Sequence, residues 1–145
     1  MKHIILIFTI ILSTNLSSQT HLSYYFGDNT NFDESIPKPS EIIGHEVGEW
    51  HVTHDKLVQY MYAVAEASDR VLIEETGKTY ENRPLLILKV SSNKNIKVLE
   101  KIQKKHIEIS DGKKMNEFDN MPAVVYQGYG VHGNEASASN ASILG

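Results

Sequence analysis

A histidine and a glutamate three residues apart, His132 and Glu135, are the residues of this sequence best placed to do chemistry together. They close the stretch Val124-Val125-Tyr126-Gln127-Gly128-Tyr129-Gly130-Val131-His132-Gly133-Asn134-Glu135, an apolar run followed by a glycine-rich turn. If the run is a strand and a helix follows Glu135, His132 lies on the loop and Glu135 at the helix start. Both side chains then converge beyond the carboxyl end of the strand, where open α/β sheets place their ligands. Neutral imidazole and carboxylate suit zinc, and a catalytic zinc commonly takes two His and one Glu while keeping a position open for water. The bland reading of the same residues is a helix-capping turn with a surface histidine and a glutamate matched to the helix dipole. A bare His-x-x-Glu arises by chance, so its placement carries the weight.

The elements that must hold this turn can be traced along the chain. Thr53 can cap a helix in which Asp55 occupies the first turn, where the dipole favours negative charge. Leu57, Val58, Met61, Val64 and Ala65 follow at helical spacing, up to about Ala67-Ser68-Asp69. Val71-Leu72-Ile73 and Leu85 to Val90 read as two strands, joined through Gly77-Lys78 and Thr79 to Pro84 as an extended antiparallel hairpin. A second helix is predicted over Ile96 to Ile109, closed by Asp111-Gly112. Ala123-Val124-Val125-Tyr126 is a candidate buried strand introduced by Pro122, and a last helix runs through Ala136 to Leu144. Helices alternating with strands of near-continuous apolar character point to an α/β domain with a mixed sheet.

Other chemistry-bearing residues fit structural roles. His51 and His54 flank the helix cap, with no carboxylate at a suitable spacing to complete a second metal site. His106 ends a basic helix, where a cation suits the dipole. Trp50, Tyr60 and Tyr62 read as packing residues, and the glycosylation triplet Asn140-Ala141-Ser142 falls in a predicted helix. The formal net charge of −4 argues against a nucleic-acid partner, which needs clustered Lys and Arg. Lys101 to Lys105, interleaved with Ile102 and Gln103, is the wet face of a helix. With no cysteine, disulfides, thiol chemistry and Cys-type zinc sites are excluded. Met1-Lys2-His3, the apolar run Ile4 to Leu12 and the small polar residues after it have the layout of a secretory signal peptide. The run is too short to span a membrane, so a secreted or periplasmic product without a membrane anchor is expected.

His132-Gly133-Asn134-Glu135 after an apolar run resembles the zinc-binding turn of the M14 zinc metallocarboxypeptidase family. Gly77-Lys78-Thr79-Tyr80-Glu81-Asn82-Arg83-Pro84-Leu85 is similar to the first hairpin of that family. Glu49-Trp50-His51-Val52-Thr53-His54-Asp55, with Tyr60 beyond, is similar to the opening helix region of its bacterial members. The resemblance runs from about Pro39 to Gly145. It implies an α/β/α sandwich with a mixed sheet, present here only as its N-terminal part: residues 1–19 a signal peptide, 20–38 an irregular lead-in, and 39–145 the truncated peptidase domain.

The resemblance further implies that His132 and Glu135 are two of three protein ligands to one Zn2+. The two-His-one-Glu set belongs to the family itself, as in carboxypeptidase A. The implied reaction is hydrolysis of C-terminal peptide bonds of peptides or proteins, the zinc polarising the scissile carbonyl and activating a water. The third ligand, the general base and the arginines that hold the substrate carboxylate are expected downstream, because no His, Arg or Glu follows Glu135. No catalytic residue is therefore assigned within the chain, and the fragment is expected to be inactive alone. Asn82 stands where the family's hairpin usually has Gly, and Gly133-Asn134 replaces the Ser-Arg pair of the digestive branch. Two alternatives are an aspartoacylase-like zinc deacylase, built on a similar His-x-x-Glu turn, and a non-catalytic truncated secreted product.

Overall fold

The structure, a computed structural model, describes residues 22–113 and 121–145 of the chain. The signal-peptide expectation for residues 1–19 lies outside the described residues. Two compact units divide between Phe32 and Asp33. The described part of the first holds α1 (Leu22–Phe26), where an irregular lead-in was expected. Gly27 closes it in a left-handed conformation, φ 76°, with its N–H on the Ser23 carbonyl at 2.8 Å. A five-residue helix is too short for a 3.6-residue period to register in the sequence. Its aromatic end turns back locally, with Phe26 and Phe32 edge to face at 5.4 Å.

The second unit contains α2 (Pro39–Ile43), α3 (His54–Ala67), β1 (Val71–Lys78), β2 (Pro84–Val90), α4 (Asn93–Ile96), α5 (Leu99–Ser110) and α6 (Ala136–Leu144). Pro39 opens α2, where a missing N–H costs nothing, and the Glu41 carboxylate reaches back to the Lys38 N–H at 3.1 Å. Gly44, at φ 89°, ends it. The helix delivers Ile43 into the core, which is centred on Ile43, Val52 and Tyr60 at 4%, 1% and 9% exposure. Ile42, Val47, Leu57, Met61, Val64 and Ile143 pack around them, so α3 lays the predicted apolar face on α2 and receives α6 and the hairpin. Thr53 is the residue before α3, as the spacing predicts, but its hydroxyl does not cap a backbone N–H. It donates instead to the Asp55 carboxylate, which is held below the usual carboxylate range mainly by that bond.

β1 and β2 form the expected antiparallel hairpin, in register from Val71 opposite Val90 to Lys78 opposite Pro84, with an irregularity between Glu75 and Gly77. This two-stranded sheet is all the regular sheet among the described residues. The turn is closed by the Thr79 N–H on the Arg83 carbonyl at 2.8 Å and the Asn82 N–H on the Thr79 carbonyl at 2.9 Å. Asn82 adopts φ 64°. Asn suits this position, because it is among the few side chains that visit the left-handed region. The neighbouring Arg83–Glu81 pair, at 3.0 Å, is exposed and contributes little.

Two expectations are corrected. The single helix over Ile96 to Ile109 is split into α4 and α5, because Val98 leaves helical geometry at φ −124°, ψ 24°. Ser92 caps α4 through its hydroxyl, and Asn95 bonds back to the Ser91 hydroxyl at 3.0 Å. Asn, Ser and β-branched Val compete poorly for a helix interior and favour such local bonds. Asp111-Gly112 does close α5. Gly112 takes φ 72°, and the Gly112 and Lys113 N–H groups bond the Ile109 and Glu108 carbonyls at 2.9 Å each, the double arrangement of a left-handed helix stop. The second correction concerns Ala123 to Tyr126, which is neither a strand nor buried. It joins no ladder, and Val124, Val125 and Tyr126 are 71%, 79% and 86% exposed. An apolar run becomes a buried strand only when a neighbour supplies the ladder and a layer covers its faces.

Three outcomes follow from this architecture. Asn82→Ala is expected to cost about 1 kcal/mol, because Ala lacks the tolerance of Asn for positive φ, whereas Asn82→Gly holds or raises stability; denaturant midpoints read both. Burial pushes the Tyr60 phenol up from its ordinary value. Since the folded value lies above the unfolded one, the neutral phenol favours the fold below about pH 10, and that contribution disappears as pH rises through the folded value. Tyr60→Phe should flatten the alkaline limb of the stability curve, and an unchanged limb would refute the assignment. Exposed apolar runs favour association, so Val125→Lys is expected to raise the concentration at which light scattering still finds a monomer.

Candidate metal centre

His132 and Glu135 occupy the two ends of one tight turn. The Glu135 N–H closes it on the His132 carbonyl at 3.1 Å. Glu135 is the residue immediately before α6, at φ −97°, ψ 110°, and its carboxylate does not cap the helix. Both side chains are exposed, so neither ring nitrogens nor carboxylate oxygens are committed to a buried role. The turn is preceded by Gly130 at φ 73°, a conformation that leads the backbone out of the extended run. His132 thus lies on the loop and Glu135 at the helix start, as the spacing predicts, although the segment before them is not paired into a sheet.

Side chains hold the ends of this region to the rest of the second unit. The His106 Nε2–H donates to the Pro122 carbonyl at 3.0 Å, tying α5 to the start of the run that leads to the turn. The dipole role expected for His106 is thereby replaced by a specific bond from a part-buried ring. Beyond the turn, Asn140 accepts from the Gly48 N–H through Oδ1 at 2.9 Å. It donates through Nδ2 to the Trp50 carbonyl at 3.2 Å. Asn140 drew attention in the sequence only as part of a glycosylation triplet. Its anchoring role was missed, and the signal that carries it is a long-range partner that no local spacing displays.

A polar concavity lies at the start of α3. His51, Thr53, His54, Asp55 and Arg83 line a hollow of about 440 Å³. The structural reading of His54 holds: its Nε2–H donates to the Pro84 carbonyl at 3.1 Å and fastens the helix start to β2. Asp55 is engaged by Thr53 and Arg83 by Glu81.

In donor type, an imidazole and a carboxylate fit zinc; in number they fall short. Among the described residues no group of three or more His, Cys, Asp or Glu side chains comes together to hold a metal ion. Two exposed donors without a third, and without neighbours that orient them, make a weak site.

The known proteins add one finding. A sequence model of the zinc carboxypeptidase family matches residues 57–144. No curated protein and no solved structure gives a match. The matched stretch takes in two of the three blocks on which the resemblance rests, the hairpin and the His132–Glu135 turn, and begins just after Glu49 to Asp55. Because it spans more than half of the sequence, the chain belongs to the zinc carboxypeptidase family.

Proposed function

We propose that this chain is part of a secreted or periplasmic zinc carboxypeptidase that removes residues from the C-termini of peptides or proteins. Residues 1–19 act as the export signal, 20–38 as a lead-in, and 39–145 as the N-terminal portion of the catalytic domain. His132 and Glu135 are two of the ligands to a single Zn2+. The observation that carries this reading is the position of Glu135 directly before α6 and one turn from His132, inside the stretch matched by the family. Bound there, zinc would supply Lewis-acid polarisation of a carbonyl and a water of lowered pKa. The part of this chain is to hold two donors at the ends of a closed turn, on a surface open to a peptide. A third ligand, the general base and the groups that recognise the substrate carboxylate come from segments outside the described residues, as do the remaining layers of an α/β/α sandwich with a mixed sheet.

Zinc titration followed by the ring resonances of His132 tests the assignment. Weak binding is expected, abolished by His132→Ala and by Glu135→Gln; tight binding that survives both substitutions would refute it. A gene product carrying the segments that follow should release C-terminal amino acids from peptides in the presence of zinc. Hydrolysis of N-acyl amino acids in place of peptides would assign the turn to a deacylase.

A further inference from the structure

We infer that Asn140 is a positioning residue for the metal turn: its amide clamps α6 to the loop before α3 and so fixes where Glu135 stands. The inference rests on the zinc reading of Glu135. Helix α6 has few means of holding its place. Its sequence, Ala-Ser-Ala-Ser-Asn-Ala-Ser-Ile-Leu, offers small side chains, and none of its residues is fully buried. Ile143 touches the core from near the far end of the helix. The hydrogen bond from the Ser142 hydroxyl goes to the Ser139 carbonyl at 2.9 Å and stays within the helix. The two bonds from Asn140 instead reach residues 92 and 90 positions earlier in the chain.

The loop they reach is built to receive them. Gly48 takes φ 87°, the Glu49 N–H turns back to the Glu46 carbonyl at 3.1 Å, and Val47 bridges to Trp50. This turn presents an N–H from Gly48 and a carbonyl from Trp50 to the same side chain. An N–H can only donate and a carbonyl can only accept, so the orientation of the amide is dictated by its partners. Asn meets both at once; Asp meets only the first, and Ala neither.

Glu135 precedes Asn140 by about 1.4 helical turns, roughly 7.5 Å of rise. A rigid helix carries the constraint over that distance, so a slip or tilt at Asn140 displaces the carboxylate relative to His132. The imidazole lies on the loop, tied to the helix start by the Glu135 N–H bond to the His132 carbonyl, and so does not move as one rigid body with the helix. Metal ligands that lose their supporting bonds typically lose about 10- to 100-fold in affinity.

The test is zinc titration of the full chain, followed through the His132 ring, with amide exchange at Gly48 as a separate readout of the clamp. Asn140→Ala is expected to speed Gly48 exchange and to weaken zinc about tenfold. Asn140→Asp, which retains the acceptor for Gly48, should recover protection there and part of the affinity. Glu135→Gln should weaken zinc while leaving Gly48 exchange at the native rate. If Asn140→Ala releases Gly48 yet binds zinc like the native chain, while Glu135→Gln does not, the positioning role is overturned and the zinc reading stands. If Glu135→Gln also binds zinc like the native chain, the zinc reading fails and the role falls with it. Should Asn140→Ala not fold, Asn140→Asp decides: zinc affinity equal to the native chain's, despite loss of the Trp50 bond, would overturn the positioning role.

Discussion

The apolar face of α3 is the surface on which the second unit is assembled. Tyr60 lies at its centre, with Leu57, Met61 and Val64 around it, and α2, the β1–β2 hairpin and α6 each dock there. Yet the fully buried set is small, consisting of Ile43, Val52 and Tyr60 among the described residues. Burying a large apolar side chain stabilises by about 1.5–3 kcal/mol, and a single hydrogen bond contributes about 1 kcal/mol. In so small a core the two kinds of interaction are comparable. Docking angle and register are therefore set to an unusual degree by side chains that reach for distant backbone groups.

Three such side chains divide the task. His54 fastens the start of α3 to the start of β2, His106 fastens α5 to the run before the His132–Glu135 turn, and Asn140 fastens α6 after it. The two imidazoles are thus structural donors, each satisfied by a carbonyl. His132 differs because its ring is exposed on the closed turn beside Glu135. The proposed ligand and the structural donors share one residue type, separated by what each ring meets.

Much of this was legible in the sequence where the signal is local. The period of Leu57 to Val64, the Thr53–Asp55 start, the apolar run of β2 and the stop at Asp111-Gly112 each depend on neighbours within a few residues, and each is found where expected. The helix from Ala136 to Leu144 and the placement of His132 and Glu135 around its start were legible for the same reason. What escaped was non-local or energetically mixed. Ala123 to Tyr126 has strand composition, but pairing requires a partner that composition cannot supply. Val98 and the Ser-Asn cluster before it break a helix whose apolar period continues across the break. Asn140 carries no local mark of its role, because its partners lie at the opposite end of the unit.

That long separation has a consequence for the order in which the unit becomes native. The hairpin and α3 close on contacts a few residues to about thirty residues apart, for which chain closure is fast and loses little entropy. The Asn140 bonds close a loop of about ninety residues and can form only after α3 and the Gly48 turn exist to receive them. Synthesis runs in the same direction, since Asn140 leaves the ribosome long after Gly48. The turn that bears His132 and Glu135 is therefore the last part of the unit to be fixed in space. On the proposed zinc reading, metal capture at this turn is tied to completion of the fold rather than to its nucleation.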